Sequence, residues 1–211
     1  MLSFLARLIR IEFPGELYHL TARGNSRKPV FLDDQDKNIF LQILARSLSD
    51  YNGIRHAYCL MTIHHLLLET PENNLSQIMK QINGLYTQRF NRKHRSIGHV
   101  FQGKFKSILV DKDTYLLELC RYFVCNPVRT GMVDSPGKYH WSSFNAIAGQ
   151  VKCSDFLTTD WILKQFTKTR PRVQAEYRRF ILAVTQGESV RKDLRGQCLL
   201  GGKEFITRQY S

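Results

Sequence analysis

From residue 16 onward the chain alternates short runs of period two with longer runs of period 3.6. Glu16 to Arg23 alternates around Leu17, His19 and Thr21, and the turn pair Gly24-Asn25 follows, so this is a first strand. Asp33 to Tyr51 carries Ile39, Phe40, Ile43, Leu44 and Leu48 at helical spacing, with Asp33 or Asp34 as the cap and Asn52-Gly53 as the stop. Ile54 to Met61 and His64 to Thr70 are strand-like with almost no loop between them, a hairpin closed by Pro71. Leu75, Ile78, Met79, Ile82, Leu85 and Tyr86 mark one face of a long helix reaching about Arg92. A further strand follows at Lys104 to Val110, and a last core helix runs from an Asp113 cap to about Cys125, stopped by Asn126-Pro127.

The order βαββαβα predicts an α+β fold of the ferredoxin-like or RRM-like kind, an antiparallel sheet with helices on one face and the other face free for a ligand. Residues 7–147 make up this domain. The pattern breaks at 148–154, where Gly149 and short polar residues suggest a linker. Trp161 to Arg170 and Gln174 to Val184 then predict two helices of a small C-terminal extension over 155–211.

Charge narrows the class of partner. The formal net charge of +13 attracts polyanions through long-range field and counterion release, with nucleic acid first and an anionic membrane surface second. From Asn73 to Val110 there is no Asp or Glu, while Lys80, Arg89, Arg92, Lys93, Arg95, Lys104 and Lys106 fall inside, interleaved with Tyr86, Phe90, Phe101 and Phe105. A solvated helix face mixes both signs, so the one-sided run points to phosphate contact with aromatic stacking. The five cysteines are odd in number and form no CxxC pair, which argues against a zinc knuckle and a closed disulfide framework and fits a reducing cytosol. In the N-terminal run, Arg7 and Arg10 interrupt the apolar residues before a signal-peptide core can form. The longest low-charge stretch, Ala57 to Leu68, falls well short of the roughly 18 residues of a membrane span. The expectation is a cytoplasmic, nucleoid-associated protein with no membrane partner and no small-molecule substrate.

Two features carry candidate chemistry. His64-His65 opens a strand, and two imidazoles so close can bind a divalent ion, but successive strand residues point to opposite faces, so a surface or hydrogen-bonded role stays open. On the last core helix Tyr122 and Asn126, at i and i+4, project side by side. A phenol can form a covalent intermediate and a carboxamide oxygen can coordinate a hard cation. A tyrosine packed at the sheet edge and an asparagine ending the helix before proline is the other reading.

The strings Arg10-Ile11-Glu12-Phe13-Pro14-Gly15, Tyr18-His19-Leu20-Thr21, Arg23-Gly24-Asn25, Leu66-Leu67-Leu68-Glu69-Thr70-Pro71, Gly98-His99-Val100-Phe101-Gln102-Gly103-Lys104-Phe105-Lys106 and Asn126-Pro127-Val128-Arg129 are collinear. Together they resemble the REP-associated tyrosine transposases of the single-tyrosine HUH (His-hydrophobic-His) superfamily. The resemblance implies the HUH nuclease fold and cleavage of hairpin single-stranded DNA through a 5′-phosphotyrosine intermediate. It implies Tyr122 as nucleophile, Mg²⁺ or Mn²⁺ held by His64, His65 and Asn126, and a monomer or homodimer. Arg23, Gly24, Asn25, Gln102, Lys104 and Lys106 lie on the resembling strings as DNA contacts, with Arg89 and Arg92 meeting the backbone.

The chain departs from the family in one place. Between Leu60-Met61 and the triple leucine it has four residues, Thr62-Ile63-His64-His65, where the pattern has five. Strand period then puts Ile63 where the partner histidine belongs, unless a bulge at His64 restores a shared site. An active transposase and a catalytically impaired, domesticated DNA-binding derivative both follow. An RNA-binding module is a third reading, because the same topology can present stacking aromatics to single-stranded RNA.

Overall fold

Alternation along the strands becomes a sheet with two unlike faces. The computed structural model describes residues 12–166, 169–183, 194–195 and 199–200. Strands β1 (Glu16–Arg23), β2 (Ile54–Leu60), β3 (Ile63–Thr70) and β4 (Lys106–Val110) pair antiparallel in the order β2-β3-β1-β4. Two short strands, β5 (Leu194–Arg195) and β6 (Leu199–Leu200), extend the sheet past β4, with β6 parallel to it. The expected N-terminal run, residues 201–211 of the expected extension and Cys198 lie outside the described residues.

One face of the sheet presents Tyr18, Leu20, Leu66 and Leu68 to α1 (Asp34–Asp50) and α2 (Leu75–His94). Helix α1 starts at the Asp33 side chain, which accepts from Asp36 N at 2.9 Å. It ends where Asn52 takes a left-handed φ of 52° and Gly53 N donates to Leu48 O at 2.8 Å, a Schellman closure. Of the apolar positions read from the sequence, Phe40, Leu44 and Leu48 on α1 and Leu75, Ile78, Met79, Ile82 and Tyr86 on α2 are buried, while Ile39 and Ile43 are half-buried and Leu85 is exposed.

The other face, expected to be free, is partly covered. Leu17, Ala57, Cys59, Leu67 and Val110 pack with Leu116, Leu119, Cys120 and Phe123 of α3 (Lys112–Arg129). Helix α3 does not stop at Asn126-Pro127. Pro127 removes only its own donor, and the turn continues to Arg129, with Thr130 N bonding Asn126 O at 3.0 Å and Met132 N bonding Pro127 O at 2.9 Å. This helix also receives the C-terminal residues. Short helices α4 (Phe144–Ile147) and α5 (Asp160–Lys164) and the longer α6 (Arg170–Leu182) bury Phe144, Ile162, Leu163, Tyr177 and Ile181 in the same core as α3. Helix α5 starts one residue before the expected Trp161 but ends at Lys164 rather than Arg170, and α6 starts at Arg170 rather than Gln174.

The outer edge of β2 is covered by chain from the same region. Leu60 N donates to Trp141 O at 2.9 Å, Ser143 N to Tyr58 O at 3.0 Å and Thr158 N to Arg55 O at 2.9 Å. Such cover removes the open donors and acceptors of an edge strand. Arg55, 1% exposed, lies 3.7 Å from the Phe156 ring centroid and 4.8 Å from that of Tyr58, and burial pushes its guanidinium pKa down to about 9.

One polar hub fastens α1 to α2. The Asp36 carboxylate, 1% exposed, accepts from Leu32 N at 2.8 Å, Lys93 Nζ at 2.8 Å and His94 Nε2 at 2.9 Å. Burial raises its pKa, but the bonds from Lys93 and His94 outweigh that and hold it below the ordinary carboxylate value. Asp36→Ala is expected to cost about 3 kcal/mol in urea unfolding at neutral pH, because it removes the buried acceptor shared by Leu32 N, Lys93 Nζ and His94 Nε2. The folded-state pKa lies below the unfolded one, so this stabilisation is full above the ordinary carboxylate range and is lost as pH falls through the depressed value. Asp36→Asn should flatten that acid limb, and an unchanged limb would mean the carboxylate is not the linked group.

Candidate active site and nucleic-acid interface

Tyr122 is half-buried on α3, neither enclosed in the core nor free of it. Its ring stands edge-on to His65 with centroids 6.1 Å apart, and the Arg129 guanidinium lies 5.2 Å from its centroid. Asn126, 9% exposed, follows one turn later on the same regular helix. The tyrosine and the asparagine therefore keep the side-by-side placement that their spacing predicts.

The two adjacent histidines part company. Pairing of β1 with β3 runs without a shift through Arg23↔Ile63, Ala22↔His64 and Thr21↔His65. The irregularity on the other side of β3 falls opposite Arg55 and Ala57, so no bulge turns His64 toward His65. His64 faces α1, 0% exposed, with ring centroids 4.8 Å from Phe40 and 5.6 Å from Phe101. Neither of its ring nitrogens has a hydrogen-bond partner among the described residues. Burial, with His65 nearby, pushes its pKa down to about 3, which makes it a neutral core residue. The structure does not bring His64 to Tyr122 and Asn126. Ile63, on the His65 face and 38% exposed, stands in the partner position.

The residue that does meet His65 is His19. On β1 it lies one row diagonal to His65, its Nε2 3.3 Å from His65 Nδ1. The Phe123 ring packs on both imidazoles, 4.6 Å from His19 and 5.4 Å from His65. The sequence places His19 in the first strand and in one of the resembling strings, but gives it no role at the site. The available signal was its parity: with Thr21 opposite His65, residues 19 and 65 must share a face.

Exposure on this face rises along β1 from buried Leu17 and His19, through half-buried Thr21, to exposed Arg23. Lys106 pairs with Thr21 across β4 and is exposed, so it stands in the same row as His65. The strings around Arg23 and Gln102 are joined by backbone: Gln102 N donates to Arg23 O and Asn25 N to Val100 O, both at 2.8 Å, flanking a Gly24↔Phe101 bridge. A Cβ on Gly24 would land on the Lys28 carbonyl oxygen, so only glycine fits. Arg23, Asn25, Gln102 and Lys104 are exposed around this bridge. Arg89 and Arg92 are also exposed, but on α2, across the sheet from Tyr122. Lys93, read as part of the same basic run, is turned inward to Asp33 and Asp36.

Residues 15–124 match the family described as Transposase IS200 like. The chain belongs to this transposase family. A solved REP-associated tyrosine transposase bound to a REP hairpin has the same fold, with 15% identity and a TM-score of 0.59 over 72% of this chain and 88% of that one. A suspected transposase from Deinococcus radiodurans r1 shares 20% identity at a TM-score of 0.40, covering 54% of this chain and 92% of the other. A tRNA(His) guanylyltransferase from Saccharomyces cerevisiae shares 9% at 0.43, covering 90% and 89%. These last two scores are too low to carry weight. No curated protein matches the sequence. Among the described residues no helix is long and apolar enough to cross a membrane.

For this transposase, the metal ligands implied by resemblance fit only in part. His65 and Asn126 lie around Tyr122, whereas His64 is walled in by aromatic rings on the opposite face. A separate group, Asp33, Asp36 and His94, has ligand atoms within 4.8 Å of one another. The Lys93 ammonium already donates to both carboxylates there, on the side of the sheet away from Tyr122. His64→Phe is expected to fold with its melting temperature within about 4 °C of the parent, since no imidazole bond is lost and the ring fills a similar space. A loss above roughly 2 kcal/mol would show that a ring nitrogen is bonded after all.

Proposed function

We propose that this transposase cleaves and rejoins hairpin single-stranded DNA, with Tyr122 as nucleophile. The observation that carries the reading is Tyr122 held half-exposed on α3 against His65, at the open end of a sheet face that also presents Lys106 and Arg23. The Tyr122 phenol loses its proton and its oxygen attacks the scissile phosphorus. The P–O3′ bond breaks, leaving a 5′-phosphotyrosine, and the departing 3′ oxygen takes up a proton to become a free hydroxyl. Attack by a 3′-hydroxyl on the phosphotyrosine reverses the step and rejoins the strand. Charge building on the phosphoryl oxygens is offset by the cations at the site, Lys106 and Arg23. A Mg²⁺ or Mn²⁺ ion, when bound, would supply Lewis-acid polarisation of those oxygens.

Arg23, Asn25, Gln102 and Lys104, with the backbone turn at Gly24, form the edge that grips the hairpin, while Arg89 and Arg92 meet phosphates of DNA wrapping to the α2 side. Residues 7–147 carry the chemistry. Leu157, Ile162, Leu163, Tyr177 and Ile181 of the C-terminal segment pack in the same core as α3 and so brace the helix that carries Tyr122.

A second reading, a DNA-binding derivative without cleavage, is favoured by one observation, the burial of His64 in the core. The RNA-recognition alternative is less favoured because α3 covers part of the face on which stacked bases would lie.

With labelled hairpin DNA and Mn²⁺, the parent is expected to form a denaturation-resistant adduct and Tyr122→Phe none, with hairpin affinity kept within about threefold. An adduct in Tyr122→Phe would remove the nucleophile assignment; hairpin binding without any adduct in the parent would establish the second reading. Lys106→Ala should weaken binding across sequences and lower the slope of log K against log salt by about 1, and an unchanged slope would take Lys106 out of phosphate contact.

A further inference from the structure

We propose that His19 and His65 form the divalent-cation pair of this chain, in place of the adjacent histidines His64 and His65. The inference rests on the proposed cleavage reaction for its purpose, but its geometry stands independently. His19 Nε2 and His65 Nδ1 are 3.3 Å apart. An ion about 2.1 Å from each of two imidazole nitrogens holds them about 3.0 Å apart at a right angle and about 3.4 Å apart at the tetrahedral angle. The observed separation falls in that range; without an ion the same two nitrogens make an N–H···N hydrogen bond, which holds the pair at this spacing.

The pair is also built rather than incidental. The two rings come from neighbouring central strands, in adjacent rows of one face, so the sheet fixes their backbone positions. Phe123 packs on both rings and restricts their rotation. That residue lies between Tyr122 and Asn126 on α3, so the helix that restrains the imidazoles also brings the phenol and a carboxamide. An amide oxygen from Asn126, one turn after Tyr122 on the same helix, would add a hard ligand to the two nitrogens, with phosphate and water as the further ligands.

The missing residue before the triple leucine thereby has a structural answer. Shortening the segment put Ile63 in the partner position and His64 in the core, and the second imidazole comes instead from β1.

The test is direct Mn²⁺ binding to the full-length chain by electron paramagnetic resonance, without DNA. His19→Gln and His65→Gln are each expected to weaken Mn²⁺ binding at least tenfold, while His64→Phe and Tyr122→Phe leave it unchanged. Should the glutamine variants misfold, the parent chain titrated with Zn²⁺ provides a second measurement. Imidazole nitrogen shifts should then move at His19 Nε2 and His65 Nδ1 and stay fixed at His64. Mn²⁺ affinity unchanged in His19→Gln, Zn²⁺ shifts at His64, or no metal binding by the parent would each overturn the pair. Those results leave the Tyr122 adduct untouched; conversely, an adduct persisting in Tyr122→Phe would remove the nucleophile and leave the metal pair standing.

Discussion

The structure turns on the uninterrupted pairing of β1 with β3. Because the register runs through Ile63, His64 and His65 without a shift, side chains alternate strictly, and a single residue decides whether an imidazole faces the α1–α2 core or the α3 side. His64 goes inward among Phe40 and Phe101, and His65 goes outward to His19 and Tyr122. Burying an imidazole with neither nitrogen hydrogen-bonded has a cost, which the neutral state limits. A bulge that exposed His64 would instead break ladder bonds between the two central strands, whose neighbours are already packed on both faces.

The other determining element is α3. It closes half of a face that a bare four-stranded sheet would leave open, and it does so with Leu116, Leu119, Cys120 and Phe123 on one side and the residues of α5 and α6 on the other. Placed between sheet and C-terminal helices, it cannot slide without disturbing two packing surfaces. That restraint suits the nucleophile role proposed for Tyr122, which requires its oxygen to meet a reacting phosphorus within a fraction of an ångström.

Much of this was legible in the sequence. The seven elements of the βαββαβα core, most of the buried faces of α1 and α2 and the Tyr122–Asn126 spacing follow from period, a local property; the cap of α3 is Asp111, not the expected Asp113, which lies inside the helix. Other features did not follow, for separate physical reasons. Pro127 was read as a stop, yet a proline near a helix C-terminus removes only one donor and the turn continues. Lys93 was counted among the phosphate-facing cations, but an ammonium side chain goes wherever a buried carboxylate is, and Asp36 lies 57 positions away in the chain. His19 was overlooked because its partnership exists only across strands, and single-sequence periodicity reports a residue's face without naming its neighbours. The short strands β5 and β6 carry too few residues for any period to show.

Gly24 has a bearing on how such a protein changes over time. Its missing side chain lets the main chain pass against the carbonyl of Lys28 while bridging Phe101, so the path of this edge is set by sterics that tolerate no other amino acid. Positions 23, 25 and 102, which project from that fixed path, are under no such restriction. The fold therefore separates a frozen frame from exposed letters, and drift at three surface positions would alter the proposed DNA-gripping edge at little cost to folding.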